Sequence, residues 1–420
     1  MDGLRDRARA LFSVACTAAD PARALEKALL RSPPEKPGKN GRYVVVSIGK
    51  AAAPMAERLL ARLGGAPATA LVVTNYENAR DVANATVIAA GHPVPDENGR
   101  HGADEVIRRL SEATEQDSVI ALISGGGSAL LPAPVEGISL CHKAEVNRIL
   151  LANGFEIGDV NLVRQHLSRL KGGGMLRYAE PAPVTAYILS DVIGDDLRVI
   201  ASGPTVAPVG SRDEARDLLR RRGLWDRLPV SVQTHLVAPE TPAPQVPSAR
   251  NHLIGSNRIS LEAVAESSSD LHGEIVSDSL TGDVAAAAAR IVSAAKSTED
   301  TGRKCLIFGG ETAVTLKGSG RGGRNQELAL RVAMTMPDIG RDWVFLSAGT
   351  DGRDGPTEAA GGIVDAGTVT RIRNAGADAE ALLANNDSNA ALAASGDLLI
   401  TGATGTNVAD VQILIIGTRA

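Results

Sequence analysis

Short apolar runs alternate with glycine-containing turns and helical segments through the first half of the chain. The runs have the length of buried strands: Tyr43–Ile48, Leu71–Thr74, Thr86–Ala90, Val119–Ile123 and Val184–Leu189. Strands that alternate with helices in this way are typical of α/β units around a mostly parallel sheet. We therefore predict an α/β domain for this half of the chain.

The second half repeats the alternation and predicts a second α/β domain. Its strand-length runs are Leu253–Gly255, Glu274–Val276, Cys305–Phe308, Val344–Ser347, Leu398–Ile400 and Val411–Ile416, and its predicted helices are Asp283–Ala295 and Arg324–Met336. A chain of 420 residues exceeds the size at which one hydrophobic core stops growing. The proline-rich segment Val237–Asn251 resembles an exposed connection, so we predict domains over residues 1–240 and 250–420.

Composition excludes several classes of protein. A net charge of −5 and 2% aromatic residues argue against nucleic-acid binding. No apolar stretch is long enough for a membrane span, and the N-terminus lacks the layout of a signal peptide, so we expect a soluble, cytoplasmic protein. Cys16, Cys141 and Cys305 form no CxxC pair and are expected to be reduced thiols. The seven histidines, His92 among them, lack metal-ligand spacing and are expected to be surface or structural residues.

The segment VVVSIGKAAAPMAE places Lys50 after the first strand, at the start of a helix. Ligands bind beyond the carboxyl ends of strands in open α/β sheets, and an ammonium group beside a helix N-terminus suits a phosphate. A solvated lysine at an ordinary helix start explains the pattern equally well.

The fourth strand leads directly into a glycine-rich loop, SGGGS, which consists of Ser124, Gly125, Gly126, Gly127 and Ser128. Consecutive glycines expose backbone N–H groups that can wrap an anion, and the two hydroxyls add donors. We favour anion binding over a flexible turn, since three adjacent glycines lose more conformational entropy on folding than a plain turn requires.

The segment NLVRQHLSRLKGGGM spaces Arg164, Ser168 and Lys171 at helical steps of four and three. This spacing predicts that the three side chains share one basic helix face. Capture of a substrate carboxylate and a solvated helix face remain equal alternatives.

Asp191 directly follows the apolar run of the fifth strand. A carboxylate at a strand end can hold Mg²⁺ or accept the proton of an attacking hydroxyl. Asp195 and Asp196 are expected to form a turn or a helix cap.

The glycine-rich loop GSGRGGRN leads into a long helix in the second half. Gly318, Gly320 and Gly323 satisfy GxGxxG, but no acidic residue for a ribose follows at the expected distance, so a dinucleotide site is weakly supported. As a phosphate site, the loop places Gly322, Gly323 and Arg324 at the helix entrance. Glu311 is predicted either as a metal ligand or as the partner of an arginine.

Two further small-residue loops follow strands of the second half. One contains Asp351 and Asp354, and the other contains Thr404 and Gly405. Neither has the helical flanks and terminal glutamate of an EF-hand. The chain also lacks a Walker A sequence, the protein-kinase motifs, a GxSxG elbow and an HExxH helix.

The order of short segments along the chain resembles the type II glycerate kinase family. They are GKA, GHPVPDENG, SGGGSAL, HLSRLKGGG, LSDVIGDD, ASGPT, GGET, GRGGRNQE, SAGTDGRDGPT and TGTNV. The resemblance runs from about Val44 to Ile416, with Ala403 standing where the family pattern has proline. It implies a Rossmann-like, doubly wound N-terminal α/β domain and a C-terminal MOFRL-type α/β domain, with the active site in the cleft between them.

The resemblance also implies an activity, the phosphorylation of D-glycerate to 2-phosphoglycerate by ATP with Mg²⁺. Lys50 and Arg324 then match the family's basic active-site positions, and Asp191 orients or deprotonates the substrate hydroxyl. The remaining implied roles are cofactor binding by Ser124–Ser128, Gly322, Gly323, Thr404 and Gly405, substrate binding by Arg164, Ser168 and Lys171, and metal binding by Asp191, Glu311 and Asp351. The alternative is an NAD(P)H-dependent hydroxypyruvate reductase. The expected partners are D-glycerate and ATP, and the chain could also form a homodimer.

Overall fold

The computed structural model describes residues 2–239, 246–298 and 302–419. Up to residue 255 the elements are α1 Asp2–Ala18, α2 Pro21–Arg31, β1 Tyr43–Ile48, α3 Ala52–Leu63, β2 Ala68–Asn75, β3 Ala85–Ala90, α4 Glu97–Ser111, β4 Ser118–Ile123, α5 Gly127–Leu130, α6 Leu140–Ala152, α7 Ile157–His166, α8 Gly174–Ala179, β5 Val184–Leu189, α9 Arg212–Arg221, α10 Val230–Val237 and β6 Arg250–Gly255.

The rest of the chain is equally dense in regular structure. Its elements are α11 Asn257–Ser267, β7 Gly273–Ser277, β8 Gly282–Asp283, α12 Val284–Lys296, β9 Lys304–Gly310, β10 Thr312–Ala313, α13 Arg324–Thr335, β11 Arg341–Gly349, β12 Gly361–Asp365, α14 Thr368–Asn374, α15 Ala379–Ala384, α16 Ser388–Ser395, β13 Leu398–Leu399 and β14 Asp410–Arg419. No helix within the described ranges has both the length and the apolar character needed to cross a membrane.

The first sheet has six strands in the order β3-β2-β1-β4-β5-β6. Strands β1 to β5 pair in parallel, with Tyr43 opposite both Ala68 and Ser118. Every residue of β1, β4 and β5 is buried, as expected when helices cover both faces of a parallel sheet. This strand order is that of a doubly wound fold, so the predicted Rossmann-like class is confirmed.

The second sheet also has six strands, in the order β13-β12-β11-β14-β9-β7, but most of its pairs are antiparallel. Only β7 and β9 pair in parallel among its described strands. The strands alternate between two apolar clusters: Val344 and Leu346 pack with α1 and α11, whereas Trp343 and Phe345 pack with α12 and α13. Helices therefore cover both faces, and each fully buried large side chain contributes about 1.5–3 kcal/mol.

Contacts divide the described chain into two compact units. The N-terminal unit comprises Pro21–Ser190 and Asp195–Ile254, and the C-terminal unit comprises Met1–Asp20, Asp191–Gly194 and Gly255–Ala420. Helix α1 thus belongs with the second sheet, and β6 lies in the first sheet. The domain spans 1–240 and 250–420 stay a prediction. The contacts differ from it at two elements, since they group α1 with the C-terminal unit and place β6 in the sheet of the N-terminal unit. Residues 240–245 of the predicted connection lie outside the described residues.

Candidate active site

The turn after β1 is bonded to the glycine-rich loop after β4. The N–H of Lys50 donates to the carbonyl of Gly125 (2.9 Å), and the Ser124 hydroxyl accepts from the N–H of Ala51 (3.0 Å). Gly49 has a φ of +116°, and a Cβ there would lie 2.2 Å from Ser124 Oγ, so only glycine fits. Both segments leave neighbouring strands where the strand order reverses, which is where open α/β sheets bind ligands.

The loop residues divide into inward- and outward-facing positions. Ser124 is 1% exposed, and its hydroxyl also donates to the carbonyl of Ile48 (3.2 Å). A Cβ on Gly127 would lie 2.9 Å from the Cβ of Ala201. Ser124 and Gly127 therefore fix the loop from within, whereas Gly126 faces the side chains that follow other strands.

His92, which follows β3, lies against this loop beside Lys50. A Cβ on Gly126, whose φ is +85°, would lie 3.1 Å from His92 Cδ2 and 3.3 Å from Lys50 Cγ. Burial and then the charge of Lys50 lower the pKa of His92, while Glu77 opposes them. His92 is therefore neutral at pH 7, with one ring nitrogen able to accept a hydrogen bond. Its position directly after a strand, like that of Lys50, is the signal that could have identified it.

A chain of hydrogen bonds connects the end of the loop to Lys171. The Lys171 ammonium donates to the carbonyl and hydroxyl of Ser128 (2.7 and 2.6 Å). The hydroxyl of Ser202 donates to Asn161 (2.7 Å), so in the 2.8 Å contact between the serine hydroxyls Ser128 is the donor. Lys171, at 6% exposed, is held at a fixed position next to the predicted anion loop.

The basic side chains behind the loop do not share a helix face, so that prediction is wrong. Helix α7 ends at His166, Ser168 bridges to Pro134, and Lys171 lies in the glycine turn beyond. The helix does not continue past His166 because the next residues pair with another segment, where the N–H of Arg169 donates to the carbonyl of Ala133 (2.9 Å); the turn at Gly172 and Gly173, both with positive φ, follows later. The fold nevertheless brings Arg164 and Lys171 near each other.

Lys143 of α6 joins Arg164 and Lys171 in a cluster of cationic side chains, in which both lysines are buried. Burial, then Lys143 and Arg164, lower the pKa of Lys171 well below its usual value. Burial, then Arg164 and Arg169, lower the pKa of Lys143 to about 7. Within the described residues none of the three clustered cations has a carboxylate within 4 Å. Such a cluster attracts anions, and Lys143 carries no sequence signal that separates it from a solvated helical lysine.

In the C-terminal unit, Arg324 is the first residue of α13, at the predicted helix entrance. Its Nε and Nη2 donate to the two carboxylate oxygens of Asp410 (2.6 and 2.9 Å), and its Nη1 lies 3.1 Å from Glu311 Oε1. Asp410 has no exposed surface, while Arg324 remains 34% exposed. The guanidinium is thus fixed from one side and open on another.

Glu311 is surrounded by further carboxylates. Burial raises its pKa, Arg324 lowers it, and Asp410, Asp191 and Asp351 raise it again. Its side chain is still half exposed, so these effects are partly screened by solvent. Negative charge therefore accumulates around one arginine.

This accumulation suits a divalent cation, although no group of three or more His, Cys, Asp or Glu side chains in the described ranges is arranged as a metal site. Mg²⁺ commonly takes one or two protein carboxylates together with water and substrate phosphates. The donor set of Asp191, Glu311 and Asp351 fits that chemistry.

The N-terminus of α13 is already bound by a carboxylate of the chain itself. Asp354, which is 3% exposed, accepts from the N–H groups of Asn325 (3.1 Å) and Gln326 (2.8 Å). A Cβ on Gly323 would lie 2.2 Å from the Asp354 carboxyl carbon, and one on Gly322 would lie 2.2 Å from a serine hydroxyl. Close packing accounts for both glycines, and a phosphate cannot use these two N–H groups while Asp354 holds them.

The other glycines of the GxGxxG pattern also serve loop packing. A Cβ on Gly318 would lie 2.3 Å from the carbonyl oxygen of Asn385. A Cβ on Gly320 would lie 2.6 Å from the same oxygen and 2.4 Å from the Cβ of Asp387. The loop follows the short strand β10 rather than a central strand of a parallel sheet. This geometry does not favour a dinucleotide site.

The Asp351 and Thr404 loops pack against each other. The Thr404 hydroxyl donates to the carbonyl of Thr350, and its N–H donates to that of Asp351 (3.4 Å). Gly405 has a φ of +82°. The two loops, predicted separately, thus form one surface of the C-terminal unit.

Two family descriptions match the chain, and together they span most of it. Residues 7–237 match the Domain of unknown function DUF4147, and residues 304–410 match the MOFRL family. The chain is 38% identical to the glycerate 2-kinase of Pyrococcus horikoshii, over 99% of this chain and 98% of that protein.

The chain belongs to the glycerate kinase family. The family resemblance predicted from the short segments is therefore confirmed.

The solved structures agree with this family assignment. The crystal structure of glycerate kinase from Thermotoga maritima superposes with a TM-score of 0.90 and is 37% identical, with 99% of this chain and 100% of that one covered.

A relative from Agrobacterium vitis, 38% identical over 97% of this chain and 94% of its own length, bears the provisional name of a hydroxypyruvate reductase. The family membership confirms the predicted two-domain α/β architecture.

Proposed function

We propose that this chain is a glycerate 2-kinase, which transfers the γ-phosphoryl group of ATP to the 2-hydroxyl of D-glycerate and releases ADP. The observation that carries the proposal is the 38% identity to a glycerate 2-kinase over 99% of the chain. We place the reaction in the cytoplasm, where ATP is available.

The residues provide the two things that phosphoryl transfer needs most, positioning and charge neutralisation. Lys50 and the loop Ser124–Ser128 offer an ammonium group and backbone donors at the edge of the first sheet. Lys171 and Arg164 offer further positive charge for an anionic group of a substrate. Arg324, held by Asp410 but partly exposed, supplies a guanidinium for charge that develops on the transferred phosphoryl group.

Acid–base chemistry and metal binding are assigned to the carboxylates. Asp191 is proposed to orient the 2-hydroxyl and to accept its proton as the oxygen attacks. Asp191, Glu311 and Asp351 are the proposed holders of Mg²⁺. When bound, Mg²⁺ would neutralise phosphate charge. The remaining proposed cofactor contacts, Gly322, Gly323, Thr404 and Gly405, lie on loops of the C-terminal unit.

The test is incubation of the purified protein with D-glycerate, ATP and Mg²⁺, with ADP release followed in a coupled assay and the product identified by phosphorus NMR. ADP and 2-phosphoglycerate are expected. The appearance of 3-phosphoglycerate would retain the kinase and overturn its regiochemistry. Absence of turnover, combined with NADH oxidation in the presence of hydroxypyruvate, would establish the reductase alternative.

A further inference from the structure

A second basic region lies in the N-terminal unit, in a cleft of about 700 Å³. We call it the basic cleft and define it by Lys171, Arg169, Arg177, Arg212, His166 and His235. Its volume is that of a site for a mononucleotide-sized ligand, far larger than three-carbon glycerate requires. Of the candidate site residues, only Ser168 and Lys171 line it.

Two basic side chains of the cleft, Lys171 at its floor and Arg177 at its rim, have no carboxylate partner within 4 Å among the described residues. Behind Lys171 lie Lys143 and Arg164, whose charges act on it through the protein interior. Arg169 differs, because it pairs with Asp104 at 2.5 Å. A buried cation without an anionic partner is costly to a fold, so an anion bound beside Lys171 would relieve that cost.

Four backbone N–H groups near the cleft already have acceptors in the protein. The N–H of Gly172 donates to the carbonyl of Ser202 (3.1 Å), and the N–H of Gly173 donates to Gly203 (2.8 Å). At the start of α9, Ser211 and Glu214 form a capping box that occupies the N–H groups of these two residues. We therefore base recognition in the cleft on its side-chain cations, which bind phosphate groups through charge-assisted hydrogen bonds.

We propose that the basic cleft binds a chain of phosphate groups, with Lys171 at the floor and Arg177 at the rim. Several cations spaced along one cleft match several linked anionic groups better than a single carboxylate. The phosphate chain can belong to the nucleotide or to a separate phosphorylated ligand. The proposal goes beyond the proposed function, because it concerns binding and holds whether or not glycerate is the acceptor.

The experiment is a calorimetric titration of the full chain with sodium tripolyphosphate at low ionic strength, without glycerate. Wild-type protein is expected to bind with a dissociation constant below about 1 mM. Arg177→Gln, an exposed change on α8, should weaken binding roughly tenfold. Arg62→Gln is the matched control, because Arg62 is likewise an exposed arginine in the last turn of a helix of the same unit.

Absence of binding to wild type, or equal binding by the Arg177→Gln and Arg62→Gln variants, overturns the proposal. Lys171→Met is a second variant, which changes the floor of the basic cleft. It should abolish tripolyphosphate binding and leave the circular dichroism spectrum unchanged. A repeat titration at saturating non-hydrolysable ATP analogue distinguishes the sources. Competition assigns the phosphate chain to the nucleotide, and independent binding assigns the cleft to a separate phosphorylated ligand.

Discussion

The guanidinium of Arg324 donates two hydrogen bonds to Asp410, a carboxylate with no exposed surface, and lies 3.1 Å from Glu311 through its remaining nitrogen. This arrangement orients a planar group that rotates freely in an unpaired arginine. Asp410 was not among the predicted site residues, although it stands at the head of the last apolar strand.

Asp410→Asn is expected to lower kcat/KM about 10- to 100-fold, because it removes a charged acceptor from the fork that positions Arg324. The measurement is steady-state kinetics together with thermal unfolding. Asp365→Asn is the control: Asp365 is also a buried aspartate paired with arginine in the C-terminal unit. It should lower stability but leave kcat/KM unchanged, and equal kinetic losses in both variants would contradict the positioning role.

Lys50→Ala is expected to lower kcat/KM by about 10²–10³, since the ammonium at the sheet edge would no longer neutralise phosphate charge. Lys39→Ala, an exposed change in the same unit, should have no effect. Near-normal turnover of the Lys50 variant would remove this residue from the catalytic set.

Glu311→Gln is expected to raise the Mg²⁺ concentration for half-maximal rate about tenfold, because one of the proposed carboxylate ligands loses its charge. The rate is measured against free Mg²⁺ at saturating substrates. Glu358→Gln alters an exposed carboxylate of the same unit and serves as the control. An unchanged Mg²⁺ midpoint would assign Glu311 to Arg324 alone.

Lys143→Met is expected to change how stability depends on pH. In the folded protein, burial and then the charges of Arg164 and Arg169 lower the pKa of Lys143 to about 7. In an unfolded chain the pKa of lysine is about 10.4. Between these values the unfolded state binds one more proton, so the wild-type free energy of unfolding gains a contribution that rises with pH and is absent below about pH 7.

The measurement is urea unfolding of both proteins at about pH 6.5, 8 and 9.5. The wild-type free energy of unfolding minus that of the variant should grow across this series. Lys36→Met, at an exposed position, should give a constant difference. A constant difference for Lys143→Met as well would show that this lysine keeps its ordinary protonation in the fold.

Asp354→Ala is expected to lower the free energy of unfolding by roughly 2–4 kcal/mol, because two N–H groups at the start of α13 lose their acceptor in the interior. Chemical denaturation measures the loss. Asp351→Ala removes a more exposed carboxylate from the same loop and should cost well under half as much. Equal losses would mean that the cap contributes little.

Much of the fold was predictable because its strands are local apolar runs. Tyr43–Ile48 and Val184–Leu189 match the predicted bounds, and α13 ends one residue before the predicted Met336. Strand β12, Gly361–Asp365, was missed because its first two residues are glycines, which read as a turn. A Cβ on Gly361 would lie 1.9 Å from the carbonyl oxygen of Ser347, so the strand pairing itself requires glycine there.

The candidate site was predictable where a residue's position along its strand or helix fixes its place. Lys50 follows the end of β1 and Arg324 is the first residue of α13, and the apolar pattern predicts both of these elements. Other features depend on tertiary packing that no local spacing encodes. Asp354 caps α13 from 29 residues away, and Lys143 approaches Lys171 from a different helix. Helical spacing misled at Ser168 because the helix had already ended.

Helix α1 packs Leu11 and Phe12 against the sheet that contains the last strand, and Arg5 bonds with Asp365 and Asp397. During synthesis α1 is made before β14, so the surface that covers this helix is complete only after the residues between them have been added. Its apolar face is therefore uncovered for all of that interval. The nascent chain has to keep that face from aggregating, on its own or with the help of a chaperone, until β14 joins the sheet.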